Sequence, residues 1–228
     1  MRRGIADTHF GGYPSRMSQS PCLPNDFLDR YEVHNFRHAL EVLSTSCADE
    51  FSELIGALGQ FRLTTQDILA KGGNESQIPK RVAQLLRPSK WFETRVRGDL
   101  VVTIETHEEA GVVRAESRIE DFMDGHKIDF VKQRVAFDLE WNSKDQTFDR
   151  DLYAFRAFHE AGIISAAVLL TRSADLNEVF KSLGVMHKYG ASTTWMGKLL
   201  YRLKAGRHGG CPVLVLGIKP ALIEDWPQ

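Results

Sequence analysis

The sequence predicts an α/β fold, in which a mixed central β-sheet of about five to six strands lies between flanking helices. Three observations lead to this prediction. Apolar residues recur at helical spacing in the N-terminal third, and alternating polar and apolar residues follow Trp91. Two later segments, 163–171 and 211–218, are apolar on both faces, which is typical of covered parallel strands. With 228 residues, 43% of them hydrophobic, the chain can bury such a core.

Helices are predicted where apolar side chains fall three and four positions apart. Thr64 or Thr65 can cap one of them, and Gly72-Gly73 would end it. Pro88 limits the next, because the residue before a proline avoids helical backbone angles. The predicted helices cover residues 38–44, 50–58, 64–69, 78–86, 149–159, 174–183 and 194–203.

Strands are predicted where polarity alternates or where a short apolar run lies between turn residues. In the segment 134–141 every second residue is apolar, while Asp138 and Glu140 point to the opposite face. A helix beginning at Asp149 joins this segment to the buried strand 163–171, so the three form a βαβ unit with a right-handed crossover. The predicted strands cover residues 100–106, 112–119, 128–131, 134–141, 163–171 and 211–218.

The chain is expected to form an irregular N-terminal arm, residues 1–26, followed by a single domain, residues 27–228. No apolar run approaches the roughly 20 residues of a membrane-spanning helix, so we expect no membrane partner. The cysteines, Cys22, Cys47 and Cys211, are odd in number and widely spaced. This pattern excludes a disulfide framework and favours a cytoplasmic location.

Charge is distributed unevenly although the formal net charge is only −1. Residues 188–219 contain six basic residues and no acid, whereas residues 100–125 contain seven acids and two arginines. A protein that holds both a polyanion and metal ions would separate its charges in this way. Ordinary solvated faces of mixed sign explain the distribution equally well.

Acidic residues on two predicted strands form the candidate chemical site. Asp138, Glu140 and Asn142 are two positions apart and would project from one face of a strand. Carboxylates this close repel each other unless a cation lies between them, and oxygen ligands favour Mg²⁺. The alternative is an edge strand whose polar face is simply solvated.

Asp129 strengthens the metal interpretation. It precedes Glu140 by eleven positions, and a tight turn near Lys132-Gln133 would bring the two carboxylates together. Nucleases that activate water for attack on a phosphodiester use this geometry. Arg156, on the helix that follows, would face a phosphate or pair locally.

The segment 129–152, DFVKQRVAFDLEWNSKDQTFDRDL, resembles the active-site region of the type II restriction endonucleases related to BglII and BstYI. These belong to the PD-(D/E)-x-K nuclease superfamily, and in this group an amide residue replaces the usual lysine. The resemblance covers roughly residues 30–218 and includes 71–78 and 91–93. It implies a restriction-endonuclease-like fold.

The resemblance also implies roles for individual residues. Asp129 and Glu140 would bind Mg²⁺ together with the backbone carbonyl of Trp141, and Asn142 would position the attacking water. Asp138 is a rival for the first acidic ligand, because the gap before the glutamate is longer than in BglII. Asp129, Glu140 and Asn142 are thus the predicted catalytic residues.

DNA contacts are predicted in the segments 142–144 and 192–194, and at basic residues of the acid-free segment 188–219. The segment 191–194 matches the base-reading loop of the family, and its hydroxyl groups can bond to base edges, although they can also cap a helix. The expected DNA-binding residues are Asn142, Ser143, Lys144, Ser192, Thr193, Thr194, Lys198 and Arg207.

The resemblance implies cleavage of double-stranded DNA at a six-base palindrome with a GATC core. Cutting both strands of a palindrome requires two sites related by a dyad, so we expect a homodimer. A cognate DNA methyltransferase would protect the host. Two rival functions stay open: a non-catalytic DNA-binding protein with a nuclease-like fold, and a repair or RNA-processing nuclease without site specificity.

Overall fold

The computed structural model describes residues 23–70, 76–123 and 125–227. The helices in this part of the chain are α1 Asn25–Arg30, α2 Ala39–Ser46, α3 Ala48–Gln60, α4 Thr65–Leu69, α5 Gln77–Leu86, α6 Thr147–Glu160, α7 Leu176–Ser182 and α8 Met196–Lys204. The strands are β1 Tyr31–Phe36, β2 Phe92–Arg95, β3 Gly98–Glu108, β4 Gly111–Met123, β5 Lys127–Lys132, β6 Val135–Leu139, β7 Ala166–Arg172 and β8 Val213–Ile218.

Six of these strands form a mixed sheet in the order β1-β8-β7-β6-β5-β2. The central strands β6, β7 and β8 are parallel, and the strands on either side are antiparallel. The predicted α/β class and mixed sheet are therefore confirmed, as is the parallel βαβ unit formed by β6, α6 and β7.

The sheet does not contain all the strands predicted for it. The predicted strands 100–106 and 112–119 lie within β3 and β4, which form a separate two-stranded sheet. Their places in the six-stranded sheet are taken by β1 and β2, which were not predicted. Local alternation identifies a strand, but tertiary contacts decide which sheet it joins.

The sheet has a hydrophobic core on each face, as expected when helices cover both sides. Helices α2, α3, α5 and α7 enclose one core, and helices α6 and α8 enclose the other. Val135, Phe137 and Leu139 of β6 face the first core, and Ala136 faces the second. By the same alternation, Asp138 and Glu140 face the second core, beside α6.

Some predicted boundaries need correction. The helix predicted to begin at Asp149 begins at Thr147, because residues 144–147 already make the first turn. The arm was predicted to extend to residue 26, but Asn25 and Asp26 belong to α1, whose Phe27 is buried in the core. Residues 1–22, Gly72-Gly73 and most of the segment 71–78 lie outside the described residues.

Among the described residues, no helix is long and apolar enough to span a bilayer.

Candidate active site

Asp129 and Asp138 lie on neighbouring antiparallel strands, where the register pairs Phe130 with Phe137. The backbone N–H of Asp129 donates a 2.7 Å hydrogen bond to Oδ1 of Asp138. Asp138 is buried, whereas Asp129 is exposed at the edge of the cluster. The two residues therefore lie side by side on the sheet, whereas the turn was expected to bring together the carboxylates of Asp129 and Glu140.

Glu140 follows the last residue of β6 and is fixed by β7. Its N–H donates to the carbonyl of Leu170 at 2.9 Å, and the Thr171 hydroxyl donates to its carbonyl at 2.8 Å. The residue is only 8% exposed. Oε1 lies 3.5 Å from Nη2 of Arg150, and Oε2 is buried without a hydrogen-bond partner.

Asp151 is a fourth acidic residue that sequence reasoning missed. It lies on α6, is 3% exposed, and contacts Glu140 through its carboxyl group. Oδ1 accepts from Nη2 of Arg150 at 3.0 Å, while Oδ2 is buried without a partner. The sequence carried a signal for it, because position 151 falls on the apolar face of α6 between Phe148 and Phe155.

Burial and mutual repulsion raise the pKa values of three of these acids. Burial raises the pKa of Asp151 to about 8, Glu140 adds to the rise, and Arg150 opposes it. The pKa of Asp138 is well above its usual range because of burial and the charges of Asp151 and Asp129. The pKa of Asp129 is raised by its partial removal from water and by Glu140. The acids are therefore close enough to interact strongly.

This donor set suits a hard divalent cation. A cation would relieve the repulsion, and the unpartnered oxygens of Glu140 and Asp151 are ligands of the required type. Within the described ranges, no three His, Cys, Asp or Glu residues are already grouped so that they could hold a metal ion.

Asn142 lies beyond the strand that was expected to position it. Because β6 ends at Leu139, strand alternation does not extend to residue 142. The Asn142 Nδ2 donates to the carbonyl of Lys188 at 3.3 Å, and Oδ1 is buried without a partner. The ring of Trp141 packs edge-on against Phe180 and Tyr189.

The two segments predicted to contact DNA lie side by side. The N–H of Thr194 donates to the carbonyl of Ser143, and the N–H of Asp145 donates to the carbonyl of Ser192, both at 2.9 Å. An antiparallel bridge joins Lys144 to Thr193 between these bonds. We call residues 188–194 the candidate recognition loop. Because the segment 143–145 follows Glu140 closely, this loop lies beside the acidic cluster.

The hydroxyl groups of this loop differ in exposure. Ser192 is exposed, and Thr193 is half-buried and donates to the carbonyl of Gly190 at 2.7 Å. Thr194 is fully buried, and its hydroxyl has no partner. In this conformation Thr194 cannot reach a base, because its side chain packs inside the protein.

Arg172 is a second residue that sequence reasoning missed. It ends β7 and is 1% exposed, and in the described part of the chain no carboxylate is among the groups that shift its pKa. Its guanidinium donates to the Thr193 hydroxyl and the Tyr189 carbonyl, and its carbon lies 5.4 Å from the Phe180 ring centroid. Burial lowers its pKa to about 10. The buried guanidinium of Arg172 thus holds the candidate recognition loop through its bonds to Tyr189 and Thr193.

Two of the three predicted basic contacts, Lys198 and Arg207, pair with acids next to the site. Lys198 Nζ lies 3.4 Å from Asp145, and Arg207 pairs with Asp149. Arg156 forms a 2.7 Å ion pair with Glu160, so the local pairing considered for it is observed.

A mixed sheet with helices on both faces and an acidic cluster on adjoining central strands defines a nuclease of the restriction-endonuclease-like class. A family model described as restriction endonuclease BglII/BglIII matches residues 31–218, and the chain belongs to this family. The protein is therefore a type II site-specific deoxyribonuclease that acts on double-stranded DNA, and its class implies a divalent metal cofactor. No curated protein matches the chain.

Proposed function

We propose that this protein cleaves double-stranded DNA at a short palindrome by Mg²⁺-dependent hydrolysis of a phosphodiester. The observation that carries the proposal is the buried Oε2 of Glu140, a proposed ligand, which like Oδ2 of Asp151 has no hydrogen-bond partner and lies beside the loop bonded to residues 143–145. Buried polar atoms without partners are rare in folded proteins, and here they lie in an acidic cluster. They suit a ligand that supplies positive charge.

Asp129, Glu140 and the backbone carbonyl of Trp141 are the proposed Mg²⁺ ligands. Asp129 is preferred to Asp138 as the first acid, because Oδ1 of Asp138 already accepts the N–H of Asp129. Asp138 then holds the backbone of Asp129. When bound, the ion would lower the pKa of a water molecule and offset the charge that develops on the phosphate.

Asn142 is proposed to orient the attacking water. Its Nδ2 is held by the Lys188 carbonyl, so Oδ1 is free to accept a hydrogen bond. An acceptor of this kind directs a lone pair of the water toward the phosphorus. The same contact ties the water-positioning residue to the candidate recognition loop.

Sequence recognition is proposed for the paired segments 143–145 and 188–194. Asn142, Ser143, Ser192 and Thr193 would contact base edges, while Lys144, Lys198 and Arg207 would contact phosphates. Lys198 and Arg207 would exchange their acidic partners for phosphate on binding.

The proposed active species is a homodimer, since both strands of a palindrome are cut by two sites related by a dyad. By family likeness we propose a six-base site with a GATC core and a cognate methyltransferase that protects host DNA. Sequencing the fragment ends, as described next, tests the recognised site and the cut position together.

The test is to incubate the full chain with plasmid DNA and Mg²⁺, and to sequence the ends. Discrete fragments with uniform ends at one palindrome are expected. Intact plasmid despite retained binding would favour a non-catalytic DNA-binding protein. A smear, or cutting of single strands, would favour a nuclease without site specificity, and either result would contradict the proposal.

A further inference from the structure

The hairpin formed by β3 and β4 has two different faces. The register pairs Val102 with Ser117 and Ile104 with Ala115, and these pairs point to one side. That face carries no charged residue from Leu100 to Thr106 or from Val113 to Ile119. The face is formed by Leu100, Val102, Ile104, Thr106, Val113, Ala115, Ser117 and Ile119.

The opposite face is polar and charged. It includes the Arg114–Glu105 ion pair, with a separation of 2.7 Å, and the Arg118–Asp99 pair. A two-stranded hairpin with one apolar face is marginally stable unless that face is covered. Yet Ile104 is 53% exposed, and most of its neighbours on the apolar face are also exposed.

We propose that this apolar face packs against the same face of a second copy of the chain, giving a four-stranded sandwich across the dimer axis. The inference rests on the homodimer of the proposed function and assigns part of its interface. DNA does not suit this face, because none of its eight residues is basic and could pair with a phosphate.

The distribution of large and small side chains fits a second copy. On the middle of the face, β3 carries the large residues Val102 and Ile104, whereas β4 carries Ser117 and Ala115. A two-fold axis between the hairpins and parallel to the strands places β3 of one copy over β4 of the other. Ile104 then faces the partner's Ala115, so large residues fill the space left by small ones.

The test is the sedimentation of variants over a dilution series, without DNA. Ile104→Glu places a charge on the apolar face and should weaken dimerisation by at least about a hundredfold, because the charge would be buried without a partner. Val101→Glu is the matched control. Val101 is on the same strand and is 52% exposed, but it faces the charged side, so its variant should dimerise like the wild type.

A size exchange keeps the test independent of folding. Ala115→Ile should weaken the dimer by crowding, and Ile104→Ala should weaken it by leaving a gap. The double variant should recover most of the loss. A wild-type monomer, equal effects of Ile104→Glu and Val101→Glu, or no recovery in the double variant would each overturn the inference.

Cleavage of the palindrome by the same variants separates this inference from the proposed function. Site-specific cleavage by an Ile104→Glu protein that still dimerises would place the interface elsewhere and leave the proposed function intact. A wild type that dimerises through the hairpin without cleaving DNA would support the inference and contradict the proposed function.

Discussion

The end of the central sheet and the β3–β4 hairpin depart from ordinary protein surfaces in opposite directions. Near the end of the sheet, Glu140, Asp151 and Arg172 are ionisable residues that are almost wholly buried. On the hairpin, Val102 and Ile104 are apolar residues that are exposed. Burying a charge and exposing apolar area both cost free energy. In the isolated chain each region is therefore destabilising. A bound cation can offset the buried acids at the sheet, and a partner surface can cover the apolar face of the hairpin.

The largest expected effect comes from removing the charge of Glu140. Glu140→Gln keeps the size of the side chain and should reduce DNA cleavage by more than about a hundredfold, since even outer-shell residues of metal sites contribute 10- to 100-fold. Glu160→Gln, on the exposed end of α6, is the control and should cleave like the wild type.

A second measurement on the same pair checks metal binding without DNA. Mg²⁺ should raise the Tm of the wild type and of Glu160→Gln, because a ligand that binds only the folded state stabilises it. The shift should be absent in Glu140→Gln. Full cleavage by Glu140→Gln would remove this residue from the site.

A smaller effect is expected from the buried guanidinium. Arg172→Met keeps most of the apolar contact with Phe180 but removes the bond to Thr193, so the candidate recognition loop loses support. The ratio of cleavage rates at the palindrome and at sites altered by one base pair should fall roughly tenfold, within the range of one base contact. Arg156→Met, which alters an exposed arginine, should leave this ratio unchanged.

Arg172→Lys separates charge from geometry in the same assay. A lysine keeps the positive charge but lacks the planar guanidinium, which lies over the Phe180 ring while its Nη2 donates to both Thr193 and Tyr189. Discrimination should therefore stay low in this variant. Unchanged discrimination in both variants would show that Arg172 does not support recognition.

The smallest expected effect concerns stability without metal. Because the folded pKa of Asp151 is about 8, above its ordinary value of 3.8, the folded state retains a proton that the unfolded state loses. In EDTA, stability should therefore fall as the pH rises from about 4 to 8. Asp151→Asn should reduce this slope and raise the Tm at pH 8 by a few degrees, since about 1 kcal/mol corresponds to 2–4 °C at this size.

Asp175→Asn is the matched control, because Asp175 is exposed and lies outside the acidic cluster. It should retain the pH dependence of the wild type. If stability falls equally steeply with pH in Asp151→Asn and Asp175→Asn, Asp151 does not retain a proton in the folded state.

Much of the sheet could be predicted because its central strands are continuous apolar runs. The strands β7 and β8 are buried on both faces, and this burial leaves a pattern that needs no tertiary information. The edge strand β1, with the sequence YEVHNF, and the four-residue strand β2 lack that pattern. Their places depend on pairing with β8 and β5, which a local pattern does not encode.

The part of the candidate site that lies on strands could be predicted from the sequence, because strand alternation and a turn place those residues. The strands and the turn place Asp129 beside Asp138, whose Oδ1 accepts the N–H of Asp129, and Glu140 comes directly after β6. Asp151 comes from a helix packed on the sheet, and Arg172 from a strand end facing a distant loop. The position of Asp151 on the apolar face of α6 signals that it is buried. Which residues it and Arg172 meet is decided only when separate elements pack together, so spacing along the chain does not reveal their partners.

The bonds between residues 143–145 and 192–194 also affect the order in which the molecule can be completed. The N–H of Asp145 reaches a carbonyl 47 positions later in the chain, that of Ser192. A nascent polypeptide still emerging from the ribosome lacks this partner until the later segment has been synthesised. Residues 143–145, which follow Glu140 closely, therefore gain these hydrogen bonds only after residues 192–194 have been made.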